Sequence, residues 1–277
     1  NWLPKYKRIE ILENVMKIMS SRVEELTILC ASEGGKPYID SKVEIHRAIN
    51  GIKIAIEHLG VYEGKEVAMG HTVSSANRMA YTFKEPIGVV AAISAFNHPF
   101  NLAVHQVIPA LAVGCPVIIR PATQTPMSAI ELVKILEEAG LPKGWAQAVV
   151  CDREGGELLA TSAKVNALTF IGSGKVGWYL NSKVAPGTRV ALEHGGVAPV
   201  IVEADANIDE LIPSIGKGGF YHAGQVCVSV QRVFVHESIV DEVATKLADY
   251  ASKLVVGDQL DPKTEVGPLI NHNEVNR

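Results

Sequence analysis

Cysteine is scarce and scattered in this 277-residue chain: Cys30, Cys115, Cys151 and Cys227 lie far apart and form no CxxC pair. That spacing argues against a disulfide scaffold and against a cysteine-based structural zinc site. No HExxH occurs, and none of the nine histidines has a carboxylate or cysteine neighbour at metal-ligand spacing, so no metal is expected. Lys/Arg runs are absent too. With 26 Lys+Arg against 30 Asp+Glu and a net charge of −4, a nucleic-acid binder relying on a strong basic field is excluded. The opening NWLPKYKRIE lacks the basic-then-apolar pattern of a signal peptide, and a cytoplasmic protein is expected. Charge is missing altogether from Pro86 to Ile119, 34 residues, more than the roughly 20 that a spanning helix needs. Asn97, His98, Pro99, Asn101, His105, Gln106, Pro109 and Pro116 interrupt that stretch. It reads as strand, loop, helix and strand inside a buried core, and no membrane association is expected.

What is present is an ordinary globular composition, 47% hydrophobic and 20% charged. The length suits two domains or one large α/β domain. Residues 5–32 and 41–59 place Ile, Leu, Val and Met at three- and four-residue spacings and read as helices, the first run ended by Gly34-Gly35. Residues 65–85 read as two short polar strands around a turn, a hairpin projecting from the body. Such an isolated ribbon is only marginally stable and often pairs with another subunit.

From residue 86 strands and helices alternate. Strands are expected at 88–94, 115–120, 146–150, 165–170, 189–193, 198–203 and 230–236. Helices are expected from Pro99 to about Val113, over 126–139 with Thr125 as N-cap and Pro126 in the first turn, near 155–161 and 174–183, and over 207–219 and 238–255. Short β-rich runs separated by helices imply a parallel sheet covered on both faces, an α/β fold. The pattern restarts after about residue 195, as a second α/β domain would.

Four features carry chemistry. Gly172-Ser173-Gly174-Lys175-Val176-Gly177 matches GxGxxG between a strand and a helix, where backbone N–H groups can approach a pyrophosphate. It sits four strands into the sheet, unlike a standard Rossmann fingerprint, and a ligand-free tight turn is the plainer reading. Cys227, in GGFYHAGQVCVSVQR, reads either as a small buried hydrophobe or as a nucleophile at a loop–strand junction. Gly224 and Gln225 before it would let backbone N–H groups face the sulfur. Glu193, at a strand's carboxyl end beside glycines, lies where open α/β sheets bind ligands, or is a solvated strand-end charge. Asn97, in AFNHPFN, stands just past the first core strand, where a turn Asn is equally natural.

Together, EPIGVVAAISAFNHPFNL (85–102), RPATQTP (120–126), FIGSGKVG (170–177), LEHGG (192–196) and GQVCVS (224–229) resemble the NAD(P)-dependent aldehyde dehydrogenase superfamily in order and approximate spacing. The resemblance spans essentially the whole chain. It implies the aldehyde dehydrogenase fold: a Rossmann-like cofactor domain (1–64 and 86–195), an oligomerisation hairpin (65–85) and the start of a catalytic domain (196–277). It implies a homodimer or homotetramer.

On this resemblance Cys227 would attack the aldehyde carbon, with the Asn97 amide and the Cys227 N–H holding the oxyanion. Hydride would pass to the nicotinamide, and Glu193 would act as general base in hydrolysing the thioester. CoA-acylating relatives lack that Glu, so its presence implies the hydrolytic branch. Ile93, Ala95 and Phe96 resemble the segment under the nicotinamide half. Gly172 and Ser173 resemble the pyrophosphate turn, Val176 the adenine side, and Gly195 joins the same cofactor set. The third glycine of GxGxxG is then incidental to dinucleotide binding. Arg120 stands where the family has a ribose-binding Lys, and Thr123 where a Glu commonly selects NAD. A carboxylate there would repel a 2′-phosphate, so NADP is expected to be accepted, with NAD the other candidate.

The same resemblance places His98, Leu102 and His105 at the substrate entrance and Val226 and Val228 beside the nucleophile. Arg47 either reaches that entrance or pairs with Glu44, three residues earlier on the helix. A basic, polar lining implies small hydroxy-, carboxy- or phospho-aldehydes. Family chains are longer at both ends, so this chain is expected to be a fragment, ending after GPLI (267–270) and before the segment that binds the nicotinamide ribose. Two rivals remain: a nucleotide-independent Cys acyl hydrolase, and a non-catalytic member of the family.

Overall fold

Three helices open the chain in this computed structural model, which describes residues 3–276: α1 (Lys5–Ser21), α2 (Val23–Gly34) and α3 (Tyr38–Val61). The outer bounds of the expected domains, residues 1 and 277, lie outside the described residues. The single helical run expected over 5–32 is thus two helices. Their junction, Arg22, leaves helical geometry at φ −116° and ψ 20°. Its guanidinium reaches Glu25 and, across to a later helix, Glu131, each at 2.6 Å. No Gly or Pro marks the break, because a tertiary ion-pair cluster accompanies it.

A two-residue antiparallel ribbon follows, β1 (Glu66–Val67) with β2 (Ala80–Tyr81). It is the expected hairpin, and its Tyr81 and Phe83 rings meet edge to face in solvent, 5.1 Å apart. The alternating series then runs β3 (Val90–Ile93), α4 (Pro99–Ala112), β4 (Val117–Arg120), α5 (Met127–Glu138), β5 (Ala146–Ala148), α6 (Arg153–Thr161), β6 (Ala167–Gly172), α7 (Gly174–Asn181) and β7 (Arg189–His194). After it come β8 (Val200–Val202), α8 (Ile208–Phe220), β9 (Val233–Val235) and α9 (Val240–Ser252), with β8 and β9 parallel.

The five strands β3 to β7 form one parallel sheet in the order β5-β4-β3-β6-β7. The central strand is buried on both faces, as a doubly covered sheet requires. Val90 and Ala92 of β3 pack into a large core with α1 to α5, whereas Ala91 and Ile93 join Ala160 and Leu180 on the opposite face. The chain builds outward from β3 through β4 and β5, then returns to the other side of β3 with β6. That reversal opens a crevice beyond the carboxyl ends of β3 and β6. The charge-free stretch 86–119 is β3, α4 and β4. No helix among the described residues is long and apolar enough to cross a membrane.

Helix α5 departs from expectation at its start. Thr125 does not cap it, and Pro126 occupies the N-cap position. Instead the Glu33 carboxylate, from α2, accepts from the N–H groups of Met127 (2.7 Å) and Ser128 (2.9 Å). The fingerprint strand is β6, the fourth of its sheet in chain order, as the sequence implied. Gly177, its third glycine, packs α7 onto the sheet: an added Cβ would run into the His194 ring and approach Phe170 at 3.1 Å.

Gly177→Ala separates packing from helix propensity. Propensity alone favours Ala by about 1 kcal/mol, while overpacking costs about 1–3 kcal/mol. Net destabilisation of about 1 kcal/mol is expected, read as a lower urea midpoint at unchanged m-value.

Candidate active site

The crevice at the strand ends is a cleft of about 790 Å³, within the usual range for cofactor and substrate sites. Three loops build it. The first leaves β3 and carries Ser94 to His98 into α4. Ser94 N–H bonds the Arg120 carbonyl at 3.0 Å, so the loop follows the neighbouring strand before turning. The second leaves β7 just after Glu193 and His194, through Gly195 and Gly196. The third follows α8 and holds Cys227.

The second and third loops touch: the Gly196 N–H donates to the Cys227 carbonyl at 3.2 Å. The first and third touch as well, because the Asn97 amide donates to the Gln225 carbonyl at 2.9 Å. That bond commits one N–H of the Asn97 amide. The other N–H, and the backbone N–H of Cys227, have no partner among the described residues. Two uncommitted donors and a half-buried thiol therefore share one cleft with an exposed carboxylate, Glu193. Such a set suits nucleophilic attack on a carbonyl, oxyanion stabilisation and general-base catalysis.

Local backbone explains the course of the loop that holds Cys227. His222 (φ 49°), Ala223 (φ 55°) and Gly224 (φ 74°) are three successive left-handed residues, two of them non-glycine and hence strained. Gln225 locks the turn: its amide donates to the His222 carbonyl (3.1 Å) and accepts from the Ile270 N–H (2.9 Å). Ser229 closes the other side, accepting from the Val226 N–H at 3.2 Å.

A buried charge pair lies behind the first loop. Lys36 and Glu44 form a fully buried ion pair, and Lys36 Nζ also donates to the Asn97 carbonyl at 3.2 Å. The other Glu44 oxygen accepts from the N–H groups of Phe100 (2.9 Å) and Asn101 (2.8 Å), capping α4. Burial pushes Lys36 down and Glu44 up, but their mutual attraction outweighs this. The ammonium is held above, and the carboxylate below, its ordinary pKa.

Nearby histidines respond oppositely. Burial, then the Lys36 charge, pushes His98 down to about 4 and His222 down to about 3. His98 Nε2 meets the Tyr221 hydroxyl at 3.1 Å, with the rings stacked, and burial raises Tyr221 to about 12. His105 is lowered by burial and by facing Arg47.

The cleft is lined by Ile93, Ala95, Phe96, Asn97, His98, Leu102, His105, Arg120, Gly172, Ser173, Val176, Glu193, Gly195, Val226, Cys227, Val228 and Arg47. Thr123 alone of the expected set stands outside this lining, bound through Arg120 Nη2 at 3.1 Å. The pairing of Arg47 with Glu44 does not form. Glu44 points inward and is taken up by Lys36 and the α4 amides, which leaves Arg47 in the cleft. Lys36, Glu44, His222 and Arg153, which lines the cleft beside Arg120, escaped the sequence reading. Glu44 had a signal: it keeps step, four residues apart, with the buried Ala48 and Ile52, so a carboxylate sits on an apolar stripe. The left-handed turn at His222 had none.

The cleft also fits a dinucleotide at the end nearer β4 and β6. Ser173, at the N-cap of α7, makes no side-chain capping bond, so the helix start presents free N–H groups to an anion. Gly172 keeps that turn close to Phe170, where a Cβ would lie 2.7 Å from the ring.

A strand-order reversal with such a cleft is where open α/β sheets bind ligands, and sequence comparison supplies the family. The sequence profile of the aldehyde dehydrogenase family matches residues 1–277, and the chain belongs to that family. It is 41% identical over 278 residues to 3-sulfolactaldehyde dehydrogenase of Priestia megaterium, covering all of this chain and 58% of that protein. Among solved structures it resembles glyceraldehyde-3-phosphate dehydrogenase GapN of Methanocaldococcus jannaschii, complexed with NADP, at TM-score 0.93 and 37% identity, over 99% of this chain and 60% of that one. It also resembles aldehyde dehydrogenase 21 of Physcomitrella patens, in complex with the reaction product succinate, at TM-score 0.94 and 34% identity, over 99% and 57%. The chain thus spans a little under three fifths of the curated relative it matches.

The depressed imidazoles set a pH dependence. Unfolded, His222 regains an ordinary pKa near 6.5 and binds a proton below it, whereas the folded state resists protonation down to about 3. Its contribution is therefore complete above pH 6.5 and is lost as pH falls, by roughly 2 kcal/mol at pH 5. Denaturant midpoints at pH 5 and 7.5 measure this. His222→Asn, which tolerates the left-handed backbone, is expected to reduce the acid loss by about that amount.

Proposed function

We propose that this chain carries the reaction centre of an enzyme oxidising a small aldehyde to its carboxylic acid with NADP or NAD. The observation that carries the reading is the meeting of Asn97, Glu193 and Cys227 in one cleft, with two donors uncommitted beside the thiol. Cys227, as thiolate, adds to the aldehyde carbon. The carbonyl oxygen takes up negative charge and accepts from the Asn97 amide and the Cys227 N–H. One such donor is worth about 3–4 kcal/mol of barrier. A nicotinamide bound in the cleft supplies the acceptor for the hydride that leaves this carbon. Glu193 then draws a proton from the water that cleaves the Cys227 thioester, freeing the acid and the thiol.

Ile93, Ala95, Phe96 and Gly195 would hold the nicotinamide half, Gly172 and Ser173 the pyrophosphate at the α7 N-terminus, and Val176 the adenine side. Arg120 and Arg153, with Thr123 in place of a carboxylate, favour a 2′-phosphate. Arg47, which has no carboxylate partner among the described residues, and His105 meet the far end of the substrate, with His98, Leu102, Val226 and Val228 around it. This lining fits an aldehyde bearing hydroxyl and anionic groups, in line with the sulfonate and phosphate of the relatives' named substrates. The division into a cofactor domain (1–64 and 86–195), a hairpin (65–85) and the first part of a catalytic domain (196–277) belongs to the same reading. So does a cytoplasmic homodimer or homotetramer using the exposed hairpin.

The reading is tested on the intact protein by absorbance of the reduced nicotinamide after a small anionic hydroxyaldehyde is added. Cys227→Ala is expected to abolish the signal; an unchanged rate would overturn the mechanism. Hydrolysis of esters with no nicotinamide reduction under any substrate would instead favour an acyl hydrolase. Comparing kcat/KM for the two cofactors tests the 2′-phosphate site: NADP is expected to be used well, and a hundredfold preference for NAD would defeat it. Arg47→Ala is expected to raise KM for an anionic aldehyde by about 10–100-fold, the worth of one charged hydrogen bond, and to leave an uncharged aldehyde nearly unaffected.

A further inference from the structure

We propose that the buried Lys36–Glu44 pair is a positioning element for the oxyanion donor, acting on the reaction through Asn97 without touching substrate. The inference rests on the reading of Asn97 given above. Both side chains are withdrawn from water, and neither lines the cleft. A pair so placed is an expensive way to gain stability, because hydrophobic residues of similar volume often do as well or better. Its geometry points to placement of the loop.

Lys36 Nζ binds the Asn97 carbonyl, and the two N–H groups accepted by Glu44 belong to Phe100 and Asn101, three and four residues further on. The pair thus grips the backbone at the α4 end of the β3–α4 turn, at Asn97 just before the helix and at Phe100 and Asn101 in its first turn. The amide of Asn97 is held separately by the Gln225 carbonyl, on the nucleophile's loop. Backbone fixed from behind and amide fixed from the front leave one N–H of Asn97 aimed by two independent anchors. The Cys30 thiol, 3.2 Å from the same Glu44 oxygen that meets Lys36, completes the carboxylate's shell. With Lys36 neutral or absent, Asn97 keeps its side chain but loses one anchor.

Removing one charge alone would strand the other, so the informative variant neutralises both. Lys36→Met with Glu44→Gln leaves no unpaired charge and keeps a side-chain oxygen for the α4 amides. The intact protein carries this pair replacement with and without Asn97→Ala. The readout is hydrolysis of p-nitrophenyl acetate, which forms an oxyanion at Cys227 but needs no nicotinamide. Alkylation of Cys227 by iodoacetamide, which forms none, is the control.

The pair replacement is expected to slow ester hydrolysis about tenfold or more, short of the roughly 100- to 1,000-fold loss that follows outright removal of a donor. Alkylation should change less than about twofold, and in the Asn97→Ala background the further loss should vanish, as coupled sites require. Glu44→Asp keeps the charge and shortens its reach, so it serves where the pair variant does not fold. Its smaller loss should likewise vanish without Asn97. Equal losses with and without Asn97, no loss at all, or a parallel fall in alkylation would each overturn the proposal. An Asn97→Ala protein hydrolysing ester at the original rate would overturn the reading of Asn97 itself, a separate and recognisable failure.

Discussion

Taking Lys36 and Glu44 out of water is costly, several kcal/mol for each ion even after relaxation, and the surrounding chain is arranged to meet that cost. Glu44 receives Lys36 Nζ, the Cys30 thiol and two helix N–H groups, so its oxygens are shared among the end of α2, the α2–α3 turn and the start of α4. Those segments converge on one carboxylate, whose reach therefore sets how they meet. The start of α4 in turn sets where the Asn97 loop leaves β3. Displacing either charge would strand the other, and the imidazoles of His98 and His222 are depressed first by burial and then by the lysine charge.

The cleft inherits this order. A parallel sheet that reverses direction between β3 and β6 opens at its carboxyl edge, and the loops from β3, β7 and α8 share that opening. Hydrogen bonds that join them include Asn97 to Gln225, His98 to Tyr221 and Gly196 to Cys227. The third loop reaches its place through the left-handed turn 222–224, a strain the neighbouring Gln225 contacts hold in check. Rigid strand ends and a strained turn together place the Cys227 thiol in one cleft with the Asn97 amide and the Cys227 N–H.

Much of this was legible along the chain because it depends on local pattern. Alternation of β-rich runs with helical spacing disclosed the doubly covered sheet, and the blocks around Asn97, Gly172, Glu193 and Cys227 disclosed the family. The misreadings share another cause. Arg22 breaks a helix by reaching residues more than a hundred positions away, and Glu33 caps α5 in place of Thr125. Of the two alternatives open for Arg47, the pairing with its helical neighbour Glu44 does not form, because a buried lysine takes that carboxylate. These contacts are set by tertiary packing and not by local pattern: Arg22 holds both Glu25 and Glu131, and Glu33 reaches the start of α5 from α2.

The sequence by itself determined the fold class, the order of the strands and helices, and the chemical identity of the site residues, since periodicity and residue type are local properties. Only the tertiary structure decided which charges are buried and with whom. It alone decided that Arg47 faces the cleft and that Asn97 is anchored from two sides. Those outcomes turn on desolvation and on hydrogen bonds across long separations, and their free energies exist only once the chain has closed around them.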